Sequence, residues 1–278
     1  MLTRLVGAFA ELPEVEAMAL GGSRSSGRAD AVSDFDLYAL TTAEVSLETR
    51  RSVVQQLGGA SVDNLGHDYF GGGDEWLDAA TGAHFDAMYF GLEWLREQIE
   101  RPLVHHQPSL GYSTAFAYTV SRSTILYDPK GTFAALQVES RQPYPEALRQ
   151  AVVRYNHPML RGVISSYWEQ LEKALLRNDL VSVNHRFAAL LASYFDILFA
   201  VNRALHPGEK RLVQLACDLP GLPENFEQDI SKTLRAAGDG AQLPPYVTWL
   251  IDALDVWLTR EGFDDLASRH ARIPGYTG

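Results

Sequence analysis

The sequence predicts an α+β protein: an N-terminal mixed β-sheet with helices, followed by an all-α helical bundle. In the first half, short apolar strands alternate with helical patterns. After about Pro143, every long apolar pattern repeats at the i, i+3, i+4 spacing of an amphipathic helix, and prolines separate one pattern from the next. A chain of 278 residues is long enough for two domains, which we place at 1–140 and 141–278.

The local patterns of the first half define its elements in chain order. Helical spacing occurs at 2–12, 47–57 and 92–100, and strand-like runs occur at 15–20, 35–40, 75–90 and 123–127. The run 75–90 is interpreted as two strands joined by a turn at Thr81 and Gly82. The glycine-rich stretch 58–73 shows turn chemistry and little periodicity. In the second half, helices are predicted within 145–155, 159–179, 184–205 and 246–258.

Composition and charge limit the classes of function. Apolar residues make up 46% and charged residues 21% of the chain, which is typical of a globular protein. No apolar run reaches the roughly 18 residues of a membrane helix, and the interrupted N-terminal stretch does not resemble a signal peptide. A single cysteine cannot form an internal disulfide, which fits the cytoplasm. The net charge of −11, with dispersed basic residues, argues against binding of long nucleic acids.

The stretch MALGGSRSSGRADAVSDFDLYAL, residues 18–40, is the strongest functional signal. An apolar strand breaks at Gly21 and Gly22, where the backbone can approach a phosphate closely, and Ser23 adds a hydroxyl. The following residues are predicted to begin a short helix whose N–H groups favour an anion. Arg24 or Arg28 can contribute a positive charge. We therefore interpret this loop as a phosphate-binding turn.

Two carboxylates follow that loop at the beginning of the next strand. Asp34 and Asp36 are spaced i, i+2 and therefore share one face of the strand. Such a pair suits Mg²⁺, which takes oxygen ligands and completes its shell with water and phosphate. Asp86 lies in another apolar strand, where a lone carboxylate is costly unless it is paired or bound to a metal. If these strands are neighbours, Asp86 completes a site for two Mg²⁺ ions; Asp78 is the alternative third acid.

These motifs together resemble the DNA polymerase β-like nucleotidyltransferase superfamily. The resemblance covers about residues 15–90 and lies in Gly21-Gly22-Ser23, Asp34-Phe35-Asp36 and Asp86. It is greatest to small bacterial nucleotidyltransferases, including those that modify aminoglycoside and lincosamide antibiotics. The resemblance implies a five-stranded mixed sheet with helices on one side, phosphates held by Gly22 and Ser23, and metal held by the three acids. It also implies transfer of a nucleoside monophosphate from an NTP and release of pyrophosphate. We expect the donor to be ATP.

The helical half contributes further candidates. Asp196 lies within an apolar helix and is either a general base for an acceptor hydroxyl or a hydrogen-bonded structural residue. Lys210, just beyond that helix, is a candidate for binding nucleotide phosphates, and Arg122 is an outside candidate for the same role. His84 precedes Asp86 by two positions and could share its face.

The function predicted from these residues is Mg²⁺-dependent nucleotidyl transfer to a hydroxyl of a small molecule, for which an antibiotic is one candidate. The acidic charge weakly favours a cationic acceptor. The alternative is an antitoxin-like or regulatory nucleotide-binding protein that acts on a protein partner. A homodimer is compatible with either function.

Overall fold

A computed structural model describes residues 2–25, 34–69, 71–239 and 242–267. The chain divides into two compact units, one formed by 1–104 with 116–142 and the other by 105–115 with 143–278. The first unit contains the sheet and the second is helical, so the predicted α+β class is confirmed. The segment 105–115, which the sequence assigned to the first half, packs with the helical unit.

The strands of the described residues form one mixed sheet in the order β3-β4-β5-β2-β1-β6. Their bounds are β1 Val15–Leu20, β2 Phe35–Thr41, β3 Ala60–His67, β4 Gly73–Asp78, β5 His84–Gly91 and β6 Thr124–Tyr127. Only β2 and β5 pair in parallel; the other neighbours are antiparallel. The described part of the sheet thus has six strands rather than the five that the resemblance implied. One of them, β3, lies at an edge, within the stretch predicted to be turns.

The helices of the first unit are α1 Leu2–Ala10, α2 Gly22–Ser25, α3 Leu47–Gln56, α4 Leu92–Leu103, α5 Ala115–Arg122 and α6 Thr132–Ser140. Apolar side chains of α1 and α3 pack against one face of the sheet, where they meet Leu37 of β2 and Phe85 and Ala87 of β5. Because side chains alternate along a strand, Asp36 and Asp86 lie on the opposite face. The core therefore fixes the face on which these carboxylates lie.

The second unit is all-helical in the described residues. Its helices are α7 Glu146–His157, α8 Tyr167–Leu176, α9 Leu180–Val201, α10 Leu212–Cys217, α11 Phe226–Ala236, α12 Leu243–Arg260 and α13 Asp264–Ala267. The continuous helical pattern predicted for 159–179 is wrong in part. A π-helical turn, Pro158–Gly162, occupies the start of that segment. The helix α8 begins only after Ser166, whose hydroxyl accepts a hydrogen bond from the Glu169 N–H.

The long helix α9 is the centre of the second core. It begins after Asp179, whose carboxylate accepts hydrogen bonds from the Ser182 N–H and hydroxyl, and most of its C-terminal half is buried. Among the described residues, no helix combines the length and the apolar character that crossing a bilayer requires.

Candidate metal and nucleotide site

The glycine turn after β1 lies directly against side chains of β2. The Gly21 N–H donates a 2.8 Å hydrogen bond to the carbonyl of Asp36. A β-carbon at Gly22 would lie 1.7 Å from Oδ2 of Asp36, and one at Gly21 would lie 2.1 Å from the ring of Tyr38. Gly22 also has a φ of +62°, which other residues rarely adopt. Both glycines therefore leave room for the side chains beneath them, which a β-carbon would displace, and the turn covers the Asp36 carboxylate.

Asp36 and Asp86 are brought together by strand pairing. They are register partners in the parallel β2–β5 pair, so the two carboxylates project from adjacent positions on the same face. Oδ1 of Asp86 is buried and has no hydrogen-bond partner in the described structure. Burial raises the pKa of the Asp86 carboxyl, as do the negative charges of Asp36 and Glu75, against the opposing effects of His67 and His84. An additional cation would relieve this crowding of negative charge.

Asp34 lies at the entrance to β2, and its side chain is 47% exposed. Its Oδ1 is 2.8 Å from Nδ1 of His84, the first residue of β5. The predicted phosphate ligand Arg24 donates from Nε to the carbonyl of Asp34 at 3.0 Å, and its guanidinium lies 3.9 Å above the ring of Phe35. Arg24 therefore also positions the backbone that carries Asp34. His84 contacts Asp34 rather than standing apart from the acids.

Tyr38 is a member of this face that the sequence analysis did not identify. It follows Asp36 by two positions and packs beneath Gly21. Burial raises the pKa of its hydroxyl, and the charges of Asp36 and Asp86 raise it further, so the phenol remains neutral at physiological pH. The i, i+2 spacing from Asp36 was the available signal.

Glu75 and His67 also belong to the site face and were also missed. Glu75 of β4 is the register partner of Asp86. One potential ligand atom from each of His67, Glu75 and Asp86 lies within 4.8 Å of the other two. This group shares only Asp86 with the three acids predicted from the motif. Glu75 could have been found from its place in a strand predicted to pair with that of Asp86, whereas His67 gave no periodic signal.

The structure separates Asp78, the alternative third acid, from this site. Asp78 ends β4 and accepts hydrogen bonds from the N–H of Thr81 at 2.8 Å and from its hydroxyl at 2.5 Å. The bond from the Thr81 hydroxyl holds the pKa of Asp78 below its ordinary value. Asp78 therefore stabilises the β4–β5 turn, and Asp86 is the acid that joins Asp36.

Asp196 lies in the helical unit, buried among hydrogen-bond donors, and its role as a general base stays a prediction. It is 1% exposed. Its Oδ1 accepts from the Ser113 N–H at 3.1 Å, and its Oδ2 accepts from the Ser113 hydroxyl at 2.6 Å and from Nδ2 of Asn156 at 3.3 Å. Burial raises its pKa to about 7, against the effect of these hydrogen bonds. Because the buried carboxylate already accepts from these donors, the hydrogen-bonded alternative fits its surroundings.

The structure gives fewer contacts for the remaining candidate phosphate-binding residues. Lys210 is exposed in the second unit, and its role in binding phosphate stays a prediction. Arg122 ends α5, where its guanidinium lies 5.7 Å from the ring of Tyr118. Ser23 lies in α2, but its side chain and the whole of Arg28 lie outside the described residues.

A cleft of about 540 Å³ in the first unit lies away from the carboxylates. It is lined by Thr41, Gly91 and Trp94, among others. Thr41 and Gly91 end β2 and β5, whereas Asp36 and Asp86 lie near the beginnings of the same strands. The carboxylates, with their buried and unpartnered oxygen, are thus the better candidate for the chemical site.

A family match covers part of the chain, and a similarity to a solved structure covers most of it. A family described as "Domain of unknown function (DUF4037)" matches residues 113–212, a range that includes Ser113, Asn156 and Asp196. Among solved structures, the chain is similar to a nucleotidyltransferase-like protein from Exiguobacterium sibiricum 255-15. The identity is 10% and the TM-score 0.43, over 97% of this chain and 81% of that one. No curated protein matches the chain.

Proposed function

We propose that this protein is a metal-dependent nucleotidyltransferase that transfers a nucleoside monophosphate from an NTP to a hydroxyl of a small molecule. The observation that carries the proposal is the register pairing of Asp36 with Asp86 beneath the Gly21–Gly22 turn. A turn without β-carbons, closely packed on the carboxylate of Asp36, suits a triphosphate held against metal ions. The motif resemblance supports the same reaction.

The residues fit the metal ions that this reaction uses. Asp34, Asp36 and Asp86 offer carboxylate oxygens, and the buried Oδ1 of Asp86 has no partner in the described chain. Mg²⁺ bound there would neutralise phosphate charge and favour in-line displacement. Asp36 and Asp86 are held in register by their strands, and Arg24 positions the backbone at Asp34. The glycines keep side-chain bulk away from the phosphates.

In the proposed reaction, the acceptor hydroxyl oxygen bonds to the α-phosphorus of the NTP. The bond between the α-phosphorus and the bridging oxygen breaks, pyrophosphate leaves, and the hydroxyl proton is lost to solvent or to a nearby base. We propose ATP as the donor. The first acceptors to test are aminoglycoside-type amino sugars, because the motif resembles antibiotic-modifying enzymes and the chain carries a net charge of −11.

Calorimetric titration of ATP, GTP, CTP and UTP with Mg²⁺ tests the proposal. We expect one nucleotide to bind the wild-type protein and an Asp34→Ala/Asp36→Ala variant to lose that binding. The matched control is Asp63→Ala, which removes an exposed carboxylate of β3. The preferred nucleotide is then incubated with an acceptor panel, and release of pyrophosphate is measured.

Three results would contradict the proposal. Absence of Mg²⁺-dependent binding of any nucleotide would remove the donor site. Binding without pyrophosphate release for any acceptor would favour the regulatory alternative. A second polypeptide that co-purifies with the protein and suppresses its activity would favour the antitoxin-like alternative.

A further inference from the structure

His67 lies buried on the site face because of a bulge in β3. Leu65 pairs with Asp74, and His67 pairs with Gly73, so two residues of β3 advance opposite one residue of β4. Gly66 is the extra residue and has a φ of +80°. A bulge of this kind reorients the side chains that follow it. Without it, His67 would share the face of Leu65, which packs against the apolar core.

The absence of a side chain at Gly73 leaves room for the imidazole of His67. His67 is only 9% exposed, and its ring lies over Gly73, where a β-carbon would be 2.5 Å from Cε1 and 2.8 Å from Nε2. Tyr69 stacks on the ring with centroids 5.8 Å apart. Neither ring nitrogen has a hydrogen-bond partner in the described part of the chain. Leaving a buried polar group without a hydrogen bond destabilises the folded protein, so this arrangement needs a reason.

The carboxylates beside the imidazole offer a reason for the unpartnered nitrogens, because together with the ring they can bind a metal ion. Ligand atoms of His67, Glu75 and Asp86 lie within 4.8 Å of one another, and the buried Oδ1 of Asp86 also has no partner among the described residues. Metal–ligand distances of about 2.1 Å put two ligand atoms of one ion at most about 4.2 Å apart, and about 3.4 Å apart in a tetrahedral site, so the three side chains must move closer together to bind an ion. One nitrogen and two carboxylate ligands suit a first-row transition ion better than Mg²⁺, which prefers oxygen and water.

We infer that His67, Glu75 and Asp86 form a binding site for a divalent transition-metal ion, of the Mn²⁺ or Zn²⁺ class, that is distinct from the Asp34–Asp36 pair. The two sets share Asp86, which places the ion next to the proposed nucleotide metals. Binding at this site requires no nucleotide. The inference therefore does not depend on the proposed transfer reaction.

Mn²⁺ is the probe, because its free ion gives a quantifiable paramagnetic resonance signal. In the absence of nucleotide, we expect the full-length protein to bind about one Mn²⁺ and to retain it in an excess of Mg²⁺. Pulsed spectra of the bound ion should show modulation from an imidazole nitrogen. His67→Ala should lose that modulation and weaken binding at least about tenfold, because even the loss of an outer-shell partner costs 10–100-fold.

Three further variants make the test specific. Glu75→Gln keeps the shape of its side chain and should also weaken Mn²⁺ binding, which covers the case in which His67→Ala does not fold. The matched control His185→Ala removes an exposed histidine of α9 and should bind as the wild type does. Asp34→Asn alters the motif outside the proposed ligand set and should retain nucleotide-free binding.

The inference is overturned if the wild-type protein binds no Mn²⁺ without nucleotide, or if bound Mn²⁺ shows no nitrogen modulation. It is also overturned if Asp34→Asn abolishes binding while His67→Ala and Glu75→Gln leave it unchanged, since the ion would then belong to the motif acids. Failure of Mg²⁺–nucleotide titrations alone would contradict the proposed transfer reaction and leave this site standing.

Discussion

Gly22 has two constraints, one from its backbone and one from its neighbour. Its φ of +62° lies in the left-handed region, and its α-carbon packs so closely on Asp36 that a β-carbon would meet Oδ2 at 1.7 Å. Gly82, in the β4–β5 turn, has a nearly identical φ of +68° but nothing within 4 Å of a β-carbon. Alanine variants at Gly22 and Gly82 therefore distinguish the effect of backbone strain, which both share, from displacement of the Asp36 carboxylate, which occurs only at Gly22.

We predict that Gly22→Ala abolishes or weakens Mg²⁺–nucleotide binding at least about tenfold, because the new β-carbon displaces the Asp36 carboxylate from its position. Left-handed backbone strain adds about 1–2 kcal/mol of destabilisation. Gly82→Ala should show that destabilisation in thermal unfolding and bind nucleotide normally. Equal nucleotide affinity in the two variants would contradict the close packing of Gly22 on a functional carboxylate.

The motif residues were predictable from the sequence, but the proximity of Asp86 to Asp36 depends on the order of the strands in the sheet. The glycines, Asp34 and Asp36 form a local pattern within one loop and one strand. Asp86 was expected at the site only if its strand neighboured β2, and the parallel register between β2 and β5 brings it there. Asp196 was ambiguous because an acid within an apolar helix can be catalytic or hydrogen-bonded. Its hydrogen bonds with Ser113 and Asn156 depend on tertiary packing, which no sequence pattern reveals.

At the scale of elements, the β3 bulge is held from the opposite face of the sheet. Asp74 is 1% exposed, and its Oδ1 accepts from the Gly66 N–H at 2.7 Å and from Nη1 of Arg50 at 2.8 Å. Its Oδ2 accepts from the hydroxyl of Tyr89 at 2.7 Å. This buried network thus fixes the glycine that turns His67 towards Glu75 and Asp86.

We predict that Asp74→Asn destabilises the protein by about 3 kcal/mol, because it leaves the buried charge of Arg50 uncompensated. The same change should weaken nucleotide-free Mn²⁺ binding under conditions in which the variant is folded, since the bulge loses part of its support. The control Asp63→Asn alters an exposed residue of the same strand pair and should change stability by less than about 0.5 kcal/mol. Urea denaturation and Mn²⁺ titration measure the two effects; identical values for both variants would contradict the role of the network.

Strand β3 was not predicted from the sequence, for a physical reason. The strand lies at the edge of the sheet, and most of its residues are exposed, so hydrophobic alternation never develops. Its glycine and bulge further break the period of two. The strands β1 and β2 carry strong apolar patterns and were predicted almost to the residue. His67 was missed because its face is set by the bulge, which no periodic pattern reveals.

At the scale of the whole molecule, two buried groups of the helical unit respond to pH in opposite directions. Burial raises the pKa of Asp196 to about 7 and lowers that of His206 to about 4. In the unfolded chain their values are about 3.9 and about 6.5. As pH rises from 4 to 6.5, ionisation of unfolded Asp196 lowers the free energy of unfolding, while deprotonation of unfolded His206 raises it. The two effects largely cancel in the wild-type protein.

We predict that Asp196→Asn reveals how much Asp196 contributes to the pH dependence of the free energy of unfolding. The free energy of unfolding of the variant minus that of the wild type should rise from about pH 4 to about pH 7 and then level off. The total rise should be up to about 4 kcal/mol, at 1.36 kcal/mol per pKa unit. Urea denaturation at a series of pH values gives this difference, in which the His206 contribution is common to both proteins. A difference that does not vary with pH would mean that Asp196 ionises normally in the folded state.

The helical unit is completed by a segment from the middle of the chain. Within 105–115, Ser113 donates to Asp196, the Gly111 N–H donates to Oδ1 of Asn156, and the Thr114 hydroxyl accepts from the N–H of His206. These groups are buried, and each loses its partner if the segment is removed. Since an unsatisfied buried polar group costs about 1–3 kcal/mol, the combined loss approaches the whole stability of a typical domain.

We therefore predict that a fragment of residues 143–278 does not fold cooperatively by itself, and that a peptide of residues 105–115 restores folding in a concentration-dependent way. Binding of the peptide to the folded state shifts the equilibrium by mass action. The control peptide carries Ser113→Ala, which removes the hydroxyl that donates to Asp196, and it should restore folding at least about tenfold less effectively. Circular dichroism during thermal unfolding measures both effects. If the fragment alone unfolds with the cooperativity of the intact chain, or if both peptides act equally, then 105–115 is an accessory to the helical unit rather than part of its core.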